Sequence, residues 1–138
     1  MLSFFGDKRD VDQVVFDIAE HGRPRDHRRL FELLRGREMF SPVTSSNVPF
    51  VDGRRITVQD GDDIKLTTGR LPNGMSCVVL YVHRHDPRLK SPYIGVTMPE
   101  ALDMVARSDV DTLLIQGRGE SWVAFPRSDL AGIRSKYF

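Results

Sequence analysis

The hydrophobic positions near the N-terminus repeat with helical periodicity. Between residues 11 and 19 they recur at i, i+3, i+4, i+7 and i+8, which predicts a helix with one apolar face formed by Val11, Val14, Val15, Ile18 and Ala19. Asp7 is the predicted N-cap and Gly22 the predicted end of this helix.

A second helix is predicted over residues 25–36. Asp26 is its predicted N-cap, and Gly36 occupies the position that commonly follows a helix C-terminus. Its buried face comprises Leu30, Phe31, Leu33 and Leu34. Because both helices are short and the loop between them is brief, we expect them to pack as a hairpin.

From residue 39 to residue 83 the pattern changes to short apolar runs separated by turn residues, which is typical of a sheet. The predicted strands are residues 56–58, 64–71 and 75–83. Asn73 and Gly74 both tolerate positive φ, so they predict a hairpin between the second and third strands. Residues 76–81 are almost all apolar, which predicts a central strand covered on both faces.

The C-terminal part is predicted to return to helices and strands after a loop over residues 84–96. Thr97 and Glu100 form a predicted capping box, and a helix follows with Ala101, Leu102, Val105 and Ala106 on one face. Strands are predicted at residues 112–116 and 121–125, around a turn at 117–120, and a last helix runs from Pro126 toward Tyr137. The element order is ααβββαββα.

These elements predict an α+β fold in which helices pack on a mostly antiparallel sheet of about five strands. The length of 138 residues suits a single domain, residues 1–138, and no linker-like stretch divides it. Twenty Lys and Arg residues oppose nineteen Asp and Glu residues, so the net charge of +1 provides no global attraction to nucleic acid or to an anionic membrane.

The only cysteine, Cys77, lies in an apolar run, which predicts a core position rather than a nucleophile. One cysteine excludes an intrachain disulfide, and the N-terminal apolar run is too short for a signal peptide. We therefore expect a cytoplasmic protein without a membrane-spanning segment.

Two groups of segments resemble a known family. The first is Leu-Phe-Glu-Leu-Leu at residues 30–34 running into Met-Phe-Ser-Pro-Val at 39–43, and the second runs from Ala-Leu at 101–102 through 113–116 to 121–127. Together they are similar to the N-terminal domain of SseB-type proteins over residues 28–134, with residues 1–27 as an additional N-terminal helix. The resemblance implies a bacterial domain without catalytic residues, of the kind found as accessory or immunity proteins.

The residues that suggest metal chemistry are weakly organised. His83 and His85 lie beside Asp86, but a metal site needs three or four convergent ligands, so a solvated loop is the favoured interpretation. The acidic turn at residues 60–63 begins like a calcium loop, yet Lys65 and Leu71 replace the required Gly and Glu. We therefore predict no metal and no cofactor.

The favoured function is a non-catalytic protein-binding module, most specifically an immunity protein that neutralises a cognate toxin or secreted effector. Asp60, Asp62 and Asp63 are the predicted contacts, because inhibitors of this kind place carboxylates in the basic cleft of their target. Trp122 is a further predicted contact, since tryptophan is enriched in interfaces.

The first alternative is a domain that binds nucleic acid or a phosphorylated ligand through a basic stretch. Arg23, Arg25, Arg28 and Arg29 surround Asp26 and give this stretch a local charge of +4 − 1 = +3. The near-neutral whole chain makes nucleic acid the weaker expectation. A second alternative is an enzyme with a metal at His83 and His85. The identity of the partner, the binding face and the oligomeric state are open at this level.

Overall fold

The computed structural model describes residues 7–45, 47, 55–59, 61, 63–89 and 92–138. Within these residues the helices are α1 (Val11–His21), α2 (Pro24–Leu34), α3 (Met98–Ala106) and α4 (Arg127–Tyr137). The strands are β1 (Met39–Ser45), β2 (Ile64–Leu66), β3 (Thr68–Arg70), β4 (Ser76–Tyr81), β5 (Tyr93–Val96), β6 (Thr112–Gln116) and β7 (Trp122–Pro126). The α+β class and the mostly antiparallel sheet are confirmed, with seven described strands rather than about five.

The strands are ordered β2-β1-β4-β6-β7, with β3 paired to β4 and β5 paired to β1. β4 and β6 are the parallel pair, and the chain between them forms β5 and α3, since parallel strands require a long crossover connection. β4 pairs with β1, β3 and β6, which confirms the predicted central strand.

The core lies between the helices and one face of the sheet. Side chains alternate along each strand, so Val78 and Leu80 of β4 and Leu113 and Ile115 of β6 are buried in the same cluster as the helices. From the helices, that cluster includes Val11, Val14, Val15, Ile18, Leu30, Phe31, Leu34, Met98, Ala101, Leu102, Val105 and Leu130. Ala19 and Ala106, which were predicted to be buried, are exposed.

Two helix N-termini differ from the prediction. Asp10, not Asp7, caps α1: its carboxylate accepts a hydrogen bond of 2.9 Å from the Gln13 N–H. In α2 the predicted cap Asp26 lies in the first turn and is 1% exposed. Pro24 begins α2 because proline has no N–H and suits the first helical position.

The ends of these helices follow the sequence pattern. Gly22 ends α1 in the left-handed conformation with φ of 63°. Gly36, with φ of 69°, follows the α2 C-cap Arg35. The capping box of α3 is confirmed, since Glu100 accepts a 2.9 Å hydrogen bond from the Thr97 N–H.

Three strand predictions need correction. Residues 56–58 form no strand; instead Arg55 makes a single bridge to Tyr93. The predicted strand at 64–71 is divided at Thr67 into β2 and β3, because the two pieces pair with different neighbours, β1 and β4. The predicted loop at 84–96 contains β5, which pairs with β1. Predicting loop there underestimated the β-propensity of the Tyr-Ile-Gly-Val run at 93–96.

The β3–β4 hairpin is present, but its turn differs from the prediction. Gly74 has φ of 88°, whereas no described residue other than glycine has positive φ, so Asn73 does not share that conformation. Asn73 acts through its side chain, which accepts a 3.0 Å hydrogen bond from the Met75 N–H. Among the described residues, no helix has the length and apolar character needed to cross a membrane.

Candidate protein-binding surface

The two described contact residues, Asp63 and Trp122, lie at different parts of the sheet. Asp60 and Asp62 lie outside the described residues. Asp63 directly precedes β2, and its N–H donates a 2.9 Å hydrogen bond to Asn47 Oδ1. Trp122 is 42% exposed at the start of β7, at the opposite end of the strand order, with β1, β4 and β6 between. Any interface at Asp63 is therefore separate from one at Trp122.

Ile64, which follows Asp63, lines a groove that runs along α3. The groove consists of two adjoining hollows of about 410 and 370 Å³, which share Ile64, Met104 and Arg107. We call it the α3 groove. Its apolar lining comprises Ile56, Val58, Ile64, Leu66, Val78, Ile94, Val96, Met104, Val105 and Val110.

The described elements beside α3 are short. β2 has three residues, and the segment at 56–58 forms no strand, so neither covers the helix fully. Val58 in that segment is 50% exposed. The accessible surface of the two hollows is about equally polar and apolar, and Val58 is its half-exposed apolar end.

Hydrogen bonds at both ends hold the α3 wall in place. The Glu100 carboxylate bonds the Thr97 N–H and hydroxyl at the N-terminal end. At the C-terminal end Arg127 donates to the carbonyl oxygens of Val105 at 3.0 Å, Val110 at 3.1 Å and Ala106 at 3.1 Å. Because helix C-terminal carbonyls lack intrahelical partners, the guanidinium stabilises this end. Sequence reasoning missed Arg127, since its acceptors are 17–22 residues away.

Charged side chains of both signs surround the apolar lining. Lys65 and Arg107 line the groove, and neither makes an ion pair with any residue in the described part of the chain. Arg55, at the other end, is paired with Glu38 through bonds of 2.5 and 2.8 Å, which lowers the pKa of the Glu38 carboxyl. Lys65 and Arg107 are therefore available to pair with carboxylates of a partner.

The predicted basic stretch lies beside several carboxylates. Arg23 and Arg25 line a shallow hollow that also contains Arg9 and three carboxylates, those of Asp7, Asp17 and Asp26. Arg29 donates a 2.8 Å hydrogen bond to the Asp7 carbonyl, and Arg28 is exposed. Those three carboxylates pair with Arg9, whereas Arg23, Arg25 and Arg28 make no ion pair with any residue that the structure describes.

His83 has a partner that the sequence did not indicate. Its Nε2 lies 2.7 and 2.9 Å from the two carboxylate oxygens of Asp12, and the Arg118 N–H donates a 2.7 Å hydrogen bond to the same carboxylate. His85 is exposed. The described residues include no group of three or more His, Cys, Asp or Glu side chains that could hold a metal ion.

Through its contacts with His83 and the Arg118 N–H, Asp12 connects the start of α1 to the loops that follow β4 and β6.

Two further buried groups have structural partners. Asp86 accepts two hydrogen bonds from the Arg88 guanidinium, at 2.8 and 2.7 Å, and this pairing lowers the pKa of the Asp86 carboxyl. Cys77 is 4% exposed, as predicted for a core residue, and burial raises the pKa of its thiol. A thiol with a raised pKa is a weak nucleophile at neutral pH.

Compared with known proteins, the chain matches no protein-family model, no curated protein sequence and no solved structure. The resemblance to SseB-type proteins therefore remains a prediction from the residues quoted above.

Proposed function

We propose that this chain is a non-catalytic bacterial protein-binding domain of the cytoplasm, and that its partner docks in the α3 groove. In the most specific form of the proposal it is an immunity protein that neutralises a cognate toxin or secreted effector. The observation that carries the proposal is the pair of adjoining hollows along α3, of mixed polar and apolar surface, with the half-exposed Val58 at one end.

The shape of the groove favours a protein partner. It is an elongated depression between one helix and the sheet, and its two hollows are joined rather than enclosed. Such a depression accepts apolar side chains from a helix or an extended segment, which is a common mode of peptide recognition. Burial of Val58 and its neighbours would supply the favourable free energy, at about 25 cal/mol per Å² of apolar area.

The charges around the groove favour a partner surface with both signs. Lys65 and Arg107 would pair with carboxylates of the partner, while the acidic turn at 60–63, which precedes Ile64, would face its cations. Charge complementarity of this type selects the partner and its register more than it adds affinity. A toxin with a basic cleft beside an apolar patch fits this pattern.

The test compares two matched variants, Val58→Asp in the groove and Phe16→Asp on α1. Both replace an exposed apolar side chain, 50% and 42% exposed respectively, so neither removes core packing. Immobilised wild-type protein and both variants are incubated with lysate of the source bacterium, and stoichiometrically retained proteins are identified and purified. We expect one protein that binds wild type and Phe16→Asp alike but binds Val58→Asp at least about tenfold more weakly.

Two further measurements distinguish the specific form of the proposal from the general one. The identified partner is expressed in host cells, either alone or together with this chain. An immunity role predicts that the host cells stop growing when the partner is expressed alone and grow again when this chain is co-expressed. Replacement of Asp60, Asp62 and Asp63 by Ala together should weaken the same complex. If no retained protein distinguishes Val58→Asp from Phe16→Asp, the α3 groove is not the binding surface.

A further inference from the structure

The free edge of β7 is a second surface, separate from the α3 groove. β7 pairs with β6 on one side and ends the strand order, so no described strand lies on its other side. The Gly117 N–H bonds the Ser121 carbonyl and the Arg127 N–H bonds the Asp111 carbonyl. In an antiparallel pair, every second residue of a strand forms its backbone hydrogen bonds with the same neighbouring strand. Since Ser121 and Arg127 bond toward β6, the backbone N–H and C=O groups of Trp122 and Ala124 point away from it.

The outward groups of β7 include both donors and acceptors. Trp122 and Ala124 each present one N–H and one C=O, and none of these bonds any residue that the structure describes. Pro126 presents a carbonyl but has no N–H, as is usual for proline on an edge strand. Gln116 holds the turn before this edge, because its side-chain amide donates to the Gly117, Gly119 and Ser121 carbonyls.

We propose that a second copy of this chain pairs with β7, so that two sheets join edge to edge around a two-fold axis at Val123. With Val123 on the axis, Trp122 of each copy lies opposite Ala124 of the other, and all four outward groups of the two residues form hydrogen bonds. Shifting the axis to Ala124 would place Trp122 opposite Pro126 and leave the Trp122 carbonyl without a donor. The Val123 register also places a large side chain beside a small one on both sides of the axis.

The charges on α4 favour a second copy over an unrelated peptide. A hollow of about 530 Å³ beside β7 has His27 and Phe31 of α2 on one side, and on the other side Asp129, Gly132, Ile133 and Lys136, which lie at helical spacing on one face of α4. Asp129 and Lys136 are seven residues apart, or about 10 Å along the helix, so they cannot pair within one chain. In the proposed dimer the two α4 helices lie antiparallel, with Asp129 of one copy toward Lys136 of the other, twice.

The midpoint of this face permits close approach. Gly132 lies between Asp129 and Lys136, and a Cβ atom added there would meet nothing within 4 Å in its own chain. An isologous interface needs one patch that is complementary to itself. β7 is complementary to itself through its outward N–H and C=O groups, and α4 is complementary to itself through Asp129 and Lys136.

The decisive experiment uses two single variants, Asp129→Lys and Lys136→Asp, with Glu20→Lys on α1 as a control for the charge change. Molecular mass is measured by light scattering from about 1 μM to about 1 mM, a range that detects dimers with dissociation constants of this order. We expect wild type and Glu20→Lys to dimerise and each single variant to dimerise about tenfold more weakly, because each places like charges opposite one another. An equimolar mixture of the two variants pairs opposite charges at both positions, so dimerisation should recover.

The single tryptophan gives an independent measurement on the unmodified protein. Trp122 is 42% exposed in one copy and becomes covered in the proposed dimer, so its fluorescence emission should shift to shorter wavelength as concentration rises. Circular dichroism melting of each variant verifies that it folds. A wild-type protein that stays monomeric over the whole range, or a dimer that neither variant weakens, would overturn the proposal. Neither result bears on the proposal that a partner docks in the α3 groove, because Asp129, Lys136 and β7 do not line that groove.

Discussion

At the residue scale, Arg9 connects three acidic residues of the N-terminal region, and the hydrophobic pattern of the sequence does not predict these contacts. Its guanidinium pairs with the carboxylates of Asp7, Asp17 and Asp26, at 2.6 Å for Asp17 and 2.9 Å for Asp26. Periodicity could not predict this cluster, because the four residues share no helical face and converge only when α1 packs on α2. Asp7, which the sequence predicts as a helix cap, pairs with Arg9 instead.

Arg9 predicts a specific dependence of stability on pH. The hydrogen bonds from Arg9 lower the pKa of Asp7 from 3.8 to about 2 and also lower the pKa of Asp17. Since these pKa values are lower in the folded than in the unfolded state, their stabilising contribution is complete above about pH 4 and is lost as the pH falls toward 2. Replacing Arg9 by Gln should flatten this part of the curve of unfolding free energy against pH.

The measurement is urea denaturation of wild type and Arg9→Gln between pH 2 and pH 5. Arg9→Lys serves as a control that keeps the charge but cannot donate to three carboxylates with the same geometry. We expect Arg9→Lys to fall between the other two. Parallel curves for wild type and Arg9→Gln would show that Arg9 does not set the pKa values of these carboxylates.

At the element scale, the sequence predicted helices more accurately than strands. The apolar stripes of α1, α2 and α3 are local patterns, and each was found within a few residues of its observed bounds. β2, β3 and β5 depend on partners far away in the chain. Residues 64–71 appear as one strand in the sequence, but they divide at Thr67 because β1 and β4 each pair with only one half.

The cap of α1 provides a prediction at this scale. Asp10→Ala should lower the free energy of unfolding by about 1 kcal/mol, because the Gln13 N–H loses its acceptor at the helix N-terminus. Asp10→Ser should retain most of the stability, since serine is also a good N-cap. Thermal melts of the three proteins test this assignment, and equal melting temperatures for wild type and Asp10→Ala would contradict it.

At the scale of the whole molecule, Asp12 connects parts of the chain that are distant in sequence. Its carboxylate bonds His83 and the Arg118 N–H, which are 71 and 106 residues away. The loops at His83 and Arg118 follow the parallel strands β4 and β6, whose carboxyl ends lie at the same edge of the sheet. Asp12 therefore fixes the position of α1 against this edge.

Replacing Asp12 by Ala should lower the free energy of unfolding by about 1–3 kcal/mol, because two partners lose their acceptor in a partly buried position. Glu20→Ala on the same helix is the matched control, since Glu20 is exposed. Asp12→Asn should have an intermediate effect, because one oxygen remains as an acceptor. The measurement is urea denaturation at pH 7, where an Asp12→Ala midpoint equal to that of the control would disprove the structural role.

The sequence by itself determined the fold class, the four helices, the central strand β4, the buried position of Cys77 and the outward face of Trp122. Each of these depends on periodicity or on a local apolar run, and neighbouring residues along the chain suffice to produce it. Only the tertiary structure decided the division of β2 from β3, the α3 groove, the carboxylates beside the arginine stretch and the Asp12–His83 contact. These features depend on which distant segments meet, and pairings between distant segments leave no periodic pattern in a single sequence.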